Sequence, residues 1–490
     1  MKLNRHIFSA LGLKKCFGWL LIILTLTSCK KGFLDVGPQV GSVDAQNAYT
    51  SNGTAQSVLA GIFVTMAGTG SFYNGNNSVS ILMGLSADEL MNYSGTPVYG
   101  QFFTNTLSAQ GGTSGYFWSN VYQQLYNCNS AIVELTSATA LTPAVRNQLL
   151  GEAKFARAYV YFYAVNFYGD VPMPLTADYQ TNNVLARTPK AQVYQQIIQD
   201  LKDAQGLLSD AKYLNGTNGA TTDRLRPNKQ TASALLARVY LYLKDWANAE
   251  AQASSVISTS IYMLEPNLNQ VFLKASRETI WALQPITIGY NNADAYQFVV
   301  TSAPTQSGSI QFPLNKTLLD AFEPGDARYT NWIGSYNAAA TPSAPATTYY
   351  FAYKYKANTA PGSSAPVTEW PIQFRLAEQY LIRAEARAQQ NNLDGAKTDV
   401  NAIRSRASLA AVTSTSQTDV LTAIAHERQI ELFTEMGHRW FDLIRTNKVD
   451  EVMNVESPKK GGTWAPYKAL VPVPSSEILI DRNLTQNPGY

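Results

Sequence analysis

Apolar positions along this chain recur at helical spacing in several long blocks, separated by stretches where that spacing fails. The blocks predict helices over Phe117 to Leu135, Pro143 to Tyr168, Gln192 to Leu208, Pro227 to Leu243 and Trp246 to Ser258. Three more are predicted over Ile372 to Gln390, Leu393 to Ala407 and Thr418 to Met436. Pro143 stands in a first turn, where proline is tolerated, and Gly169 closes the same helix. Two stretches are related. Ala237 and Tyr240 precede Ala249 across a turn at Lys244-Asp245, and Ala384 and Arg387 precede Ala396 across a turn at Asn391-Asn392. Small residues at such spacing let antiparallel helices approach closely, a tetratricopeptide-like (TPR-like) arrangement. The repeat is degenerate, because the aromatic of the first copy is an arginine in the second.

Between these repeats the pattern changes. From Pro266 to Trp370 the chain carries short alternating apolar runs, such as Thr279 to Gln284, among Gly/Pro/Ser/Ala/Thr-rich stretches. Thr348 to Lys356 reads as a strand. Ala67 to Gly115 reads as a second helix-poor region. The predicted fold class is therefore all-α: a TPR-like helical superhelix with long loop-rich insertions and a few short strands. Irregular insertions on a helical scaffold are where binding usually resides.

The N-terminus is a processing signal rather than part of the fold. Lys2, Arg5, Lys14 and Lys15 give a basic start, and Cys16 to Leu26 forms an apolar run shorter than the roughly 20 residues a bilayer span needs. Ser28 then sets a small residue before Cys29, the pattern of lipoprotein processing, so Cys29 is the expected lipidation site. Residues 1–28 are read as a lipoprotein signal peptide and 29–40 as a lipidated leash. Processing changes the charge: 38 basic residues less four leaves 34 against 35 acidic, near −1. Nothing in that balance recommends a nucleic-acid partner. Cys128 is the one cysteine left after signal removal and lipidation, so no internal disulfide is possible, and its helical setting predicts a buried thiol.

The chemistry-bearing residues argue against catalysis. Glu427, Glu431, Glu435 and Asp442 each have an arginine nearby among Arg428, Arg439 and Arg445, which keeps carboxylates ionised and favours an ion-pair network over acid/base work. His426 and His438 are too far apart for a zinc-protease motif, and Gly68-Thr69-Gly70 lacks the context of a nucleotide loop. No cofactor and no metal site is expected. Aromatics carry the positive case, because sugar faces stack on flat rings while edge hydroxyls seek amides and carboxylates. Trp118, Trp246, Trp281 and Trp440 fall in periodic strings and are expected in the core. The candidate ligand-binding residues are loop aromatics and an amide neighbour: Tyr73 with Asn74, Tyr93, Tyr290, Tyr296 and Trp332, with Tyr336 close by.

Several strings, taken together, resemble the SusD/RagB family of outer-membrane nutrient-binding lipoproteins. Phe33-Leu34-Asp35 with Pro38 is similar to its opening. Glu152 to Tyr159 followed by Tyr168-Gly169-Asp170-Val171-Pro172 resembles its N-terminal helix-and-turn. Glu378 with Ala384-Glu385-Ala386, then Asn401 to Ala407, resembles its C-terminal repeat. The most specific block is Glu427 to Leu432 leading to Gly437 to Arg445, and the chain ends Gln486-Asn487-Pro488-Gly489-Tyr490. Two departures are Asp481-Arg482-Asn483 in place of an Asn-Pro, and Met436 between Glu435 and Gly437.

The resemblance implies an N-terminal region over 41–225 and a C-terminal region over 226–490, integrated in space. It also implies a non-catalytic, lipid-anchored protein of the outer membrane facing the cell exterior. Such a protein captures oligosaccharide and delivers it to a partner SusC-like TonB-dependent transporter. The alternatives are capture of peptides by the same architecture, a TPR-type scaffold that binds only proteins, and a glycosidase.

Overall fold

A computed structural model describes residues 48–490 except 69, 111, 211, 288, 290, 309–311, 343, 360, 361 and 363. Cys29, the signal sequence and the leash lie outside the described residues, as does Tyr290.

The periodic blocks form helices close to their expected limits. Two helices precede the first of these blocks, α1 (Asn52–Ala67) and α2 (Val79–Ser86), and the blocks follow as α3 (Gly115–Ser137), α4 (Pro143–Tyr168), α5 (Lys190–Leu207), α6 (Lys229–Tyr242) and α7 (Trp246–Ile257). After a long insertion come α8 (Leu376–Gln389), α9 (Leu393–Arg406), α10 (Gln417–Glu431) and α11 (His438–Arg445). From α3 to α10 each helix packs on the next, and α7 packs on α8 although the insertion separates them in sequence. The insertion is thus looped out of one continuous helical stack.

The two TPR-like pairs are built alike. Lys244 and Asn391 both take left-handed backbone, φ +59° and +61°. Asp245 and Asn392 then cap the following helices by accepting from the Asn248 and Gly395 amides. Ala237, Ala249, Ala384 and Ala396 are all buried where the helices cross. Arg387, the departure from the aromatic, binds across repeats instead. Its Nε lies 2.8 Å from Glu250 on α7 and its Nη1 2.9 Å from Asp399 on α9.

At the centre runs α4, buried at every residue from Phe155 to Tyr168. Phe155, Tyr159, Tyr163 and Phe167 recur every fourth residue and so form one ladder along the helix. Phe167 stacks on Phe117 of α3 with centroids 4.1 Å apart. Gly169 ends the helix at φ +74°, as the sequence predicts.

Three sequence expectations need correction. Ile372 to Arg375 is a strand and not the start of a helix, because α8 begins at Leu376. That strand is four residues long and buried at every position, Gln373 and Arg375 included, too short a run for its alternation to separate strand from helix. The helix expected to reach Met436 stops at Glu431, since Thr434, Met436 and Gly437 all adopt left-handed backbone, φ 54°, 45° and 73°. The region Ala67 to Gly115 is not helix-poor: it contains α2 and a short helix, Pro97–Phe103. Every residue of α2 is buried, so it carries no polar face to mark it.

The strands are few and short. β1 (Thr279–Ala282) pairs antiparallel with β4 (Ile372–Arg375), and β2 (Ile333–Ala338) forms a hairpin with β3 (Thr347–Ala352).

Candidate functional site

The β2–β3 hairpin is the main projection of the insertion, and its register decides which side chains share a face. Tyr336 pairs with Tyr349 and Gly334 with Phe351, so alternation puts Tyr336, Tyr349 and Phe351 on one side, with Tyr353 following. Val299, Val300 and Phe351 form a small apolar cluster under that side, with Tyr336, Tyr349 and Tyr353 packed against it half-buried. Gly334 is required here. The Phe351 ring occupies the space that any side chain at 334 would take.

The adjoining chain extends this face. Met91 donates to the Pro313 carbonyl at 2.8 Å, Gly95 donates to Gln306 at 3.0 Å, and Leu314 donates to Tyr350 at 2.7 Å. Met91 and Gly95 therefore lie beside Pro313 and Gln306, and Leu314 in turn meets β3. This carries Tyr93 edge-on to Tyr349, with ring centroids 5.6 Å apart and planes at 82°. Lys356 lies 5.1 Å from the Tyr353 ring and gives the shelf one cationic edge. The short helix Ala293–Phe298, which bears half-buried Tyr296, leads directly into Val299 and Val300. Asp294 on that helix accepts from the Gly75 amide at 3.2 Å, and burial pushes its carboxyl up to about 7.

Of the predicted site residues, the structure thus brings Tyr93 to this shelf and Tyr296 to the segment beneath it. The other described ones, Tyr73, Asn74 and Trp332, go elsewhere. Tyr73 is buried and stacks on Tyr159 of the α4 ladder at 5.2 Å and 17°, so it is a core residue rather than a loop aromatic. Asn74 is buried beside it and donates to the Ala67 carbonyl at 3.3 Å. Trp332 is also corrected: it is 0 % exposed, edge-on to Phe272, and its indole N–H donates to the Leu268 carbonyl at 3.0 Å. A ring closed on all sides offers no stacking platform. Sequence reasoning missed Tyr349 and Tyr353. The signal was present in the strand Thr348 to Lys356, where alternate residues are aromatic and therefore share a face.

Trp332 has a different task, at the roof of a buried ionic core that anchors the hairpin. Lys354, Arg375 and Arg406 lie 5.0, 5.9 and 6.0 Å from its ring. Below it, Arg375 reaches Glu278 at 2.9 Å, Glu431 at 2.6 Å and Glu435 at 2.7 Å. Arg328 reaches Glu427 at 2.5 Å and Glu431 at 2.9 Å, while Arg406 contacts Glu278 and Glu431. Lys354 follows β3 directly and donates to the Glu431 and Phe433 carbonyls left bare where α10 ends, both at 2.8 Å. Burial alone would raise Glu431, but Arg406, Arg375 and Arg328 hold its carboxyl well below the usual carboxylate range. Burial also pushes Lys354 down to about 8 against the pull of Glu435. The charged block of the sequence is therefore a structural network, with its acids committed to arginines.

His426 and His438 serve separate ends. His426 Nε2 lies 2.8 Å from the Ala321 carbonyl. His438 is held well below its ordinary range by burial and by Arg238 and Arg428. Cys128 is free and buried, and burial pushes its thiol up to about 12.

A helical stack with a looped-out, tyrosine-bearing insertion can be set beside known proteins. A family model described as starch-binding, associating with outer membrane, matches residues 33–241, and the SusD family model matches residues 322–490. The chain belongs to the SusD family. SusD-like protein P2 of Formosa agariphila is 25 % identical, over 96 % of this chain and 99 % of that protein. A SusD superfamily protein from Bacteroides vulgatus superposes with a TM-score of 0.76 at 21 % identity, covering 91 % of this chain and 99 % of its own. Surface glycan-binding protein A from Bacteroides fluxus superposes with a TM-score of 0.73 at 22 % identity, covering 89 % and 99 %. These superpositions are likenesses of fold. In this SusD family member the second match takes in the β2–β3 hairpin as well as the C-terminal helices, while residues 242–321 lie between the two matches.

Proposed function

We propose that this chain is a surface-exposed lipoprotein, anchored through Cys29, that captures oligosaccharide without chemical turnover. It delivers the sugar to a partner SusC-like TonB-dependent transporter in the outer membrane. The observation that carries the reading is the half-buried row Tyr336, Tyr349 and Tyr353 with Tyr93 edge-on, held out on the insertion of a SusD family chain. Flat phenol faces suit the C–H faces of sugar rings, and their hydroxyls suit the ring edges. Membership in a family whose N-terminal model is described as starch-binding supports the same cargo class. The paired acids of the ionic core support binding rather than hydrolysis, because a carboxylate locked to arginines is a poor proton donor. Modest affinity suffices, since tethering beside a transporter raises the effective concentration.

The test is isothermal titration of the mature protein with neutral oligosaccharides, including starch-derived and β-1,3-linked glucans, in parallel with a panel of oligopeptides. Saccharide binding that falls on Tyr349→Ala supports the reading. Binding of peptides alone, with Tyr349→Ala inert, contradicts it.

A further inference from the structure

A second aromatic concavity lies on elements unrelated to the shelf. It is a cleft of about 360 Å³ between α3, the segment 172–185 and the C-terminal stretch 477–484. Its floor is Trp118 and Tyr122. The indole is buried and edge-on to Tyr168 at 5.0 Å, Tyr122 tilts against it at 4.7 Å, and the Tyr122 hydroxyl donates to the Pro172 carbonyl at 3.1 Å. Two rings stand at the rim with their faces open: Tyr126 is 55 % and Tyr179 is 74 % exposed.

The walls are pinned by interior hydrogen bonds. Asn129 Nδ2 donates to the Pro174 carbonyl at 2.8 Å and to Thr176 at 3.2 Å, and its Oδ1 accepts from Arg157 at 3.0 Å. Arg157 is itself paired with Asp200 at 2.7 Å, both buried. Asn182 Nδ2 donates to the Thr176 carbonyl at 2.7 Å, and Asn483 Nδ2 donates to Val184 at 2.8 Å, tying the C-terminal stretch to the opposite wall. A pocket held this way keeps its shape without a ligand.

Three polar side chains facing it are not used up. Among the described residues, the side chains of Asn183 and Glu477 form no hydrogen bond with the protein, and Asp481 commits one oxygen to the Asn483 amide at 2.9 Å. An apolar, ring-lined cleft with a few convergent polar groups is the composition of a small-ligand site.

We infer that this cleft is a second saccharide site, for one or two neutral hexose units; the inference rests on the glycan-binding reading above. The rim tyrosines supply stacking faces. Glu477 and Asp481 accept from ring hydroxyls, and the same two carboxylates exclude sulfated or uronic sugars by like-charge repulsion. The concavity argues against a docking face for another protein, since stable protein interfaces need about 800 Å² per partner of closely fitting surface.

The experiment uses the mature full chain carrying Tyr93→Ala and Tyr349→Ala, so that the shelf is disabled. The probes are maltoheptaose, laminarihexaose and a sulfated oligosaccharide, followed by isothermal titration. The cleft predicts residual one-to-one binding of a neutral probe, no binding of the sulfated one, and at least a tenfold further loss on adding Tyr126→Ala with Tyr179→Ala. Glu477→Gln lowers neutral-sugar affinity less and admits the sulfated probe. The inference is overturned if intact protein binds one equivalent of sugar and the shelf-disabled protein binds none. It is also overturned if the rim variants leave sugar binding intact but weaken association with the transporter, which would make the cleft a protein contact. If intact protein binds no saccharide at all, both the cleft and the glycan-binding reading fail together.

Discussion

Tyr159 and Tyr349 are the same residue type in two regions that use the aromatic ring in opposite ways. Tyr159 sits in the α4 ladder, wholly buried, with Tyr73 stacked on one side, Trp281 edge-on, and its hydroxyl donating to Gln373 at 2.9 Å. Tyr349 stands on a two-stranded ribbon over the cluster of Val299, Val300 and Phe351, half-covered, with Tyr336 across the strands and the Tyr93 ring edge-on. The first ring is spent on holding the fold. The second keeps part of its face for something else. The difference lies in what surrounds each backbone: a helix buried on all sides leaves no face open, whereas a hairpin leaves one.

Substitutions can break this contrast, beginning with the foundation beneath the hairpin. Glu431→Gln leaves Arg375, Arg328 and Arg406 short of their shared buried carboxylate, and should cost about 3–5 kcal/mol in chemical denaturation. The carboxyl is depressed in the folded state, so its contribution is present above the ordinary carboxylate range and lost as pH falls through and below it. The wild type should therefore lose more stability than the variant between neutral and acid pH. Trp332→Ala opens a cavity above the same network and should cost about 3–5 kcal/mol as well. At a temperature where the variant is folded, its saccharide affinity should change by less than a factor of about three, roughly 0.6 kcal/mol. A tenfold loss there would return Trp332 to the binding surface.

Gly334→Ala tests the shelf itself. The added methyl displaces the Phe351 ring, at about 1–3 kcal/mol of local overpacking, and should weaken binding by splaying Tyr336 from Tyr349. Tyr349→Ala has the smallest expected effect on stability, about 1 kcal/mol or less for a half-exposed ring, with roughly a tenfold loss of affinity from about 1.4 kcal/mol of lost stacking.

The same contrast explains what the sequence makes legible. Helices α3 to α10 carry their period and turn residues locally, so their places in the chain, the paired turns at Lys244 and Asn391, and the network role of Glu427 to Arg445 can be read in advance, while the start of α8 and the end of α10 cannot. The fate of a loop aromatic cannot, because it depends on non-local partners. Tyr73 looks like a loop residue until Tyr159 is known to lie beneath it, and Trp332 until three cations are known to surround it. Tyr93 reaches the shelf through the bonds of Met91 to Pro313 and Gly95 to Gln306, a pairing between residues more than 200 positions apart. Tyr349 and Tyr353 were closer to hand. Alternation within their strand gives their common face, and the partner strand gives Tyr336.

The central claim is that the exposed rings bind and the buried rings build. The most direct measurement is isothermal titration with the tightest-binding neutral oligosaccharide, comparing wild type with Tyr93→Ala/Tyr349→Ala and following thermal unfolding of both. The account predicts an affinity at least tenfold lower in the double variant with a melting temperature shifted by only a few degrees. Unchanged affinity in a double variant that remains folded would contradict it.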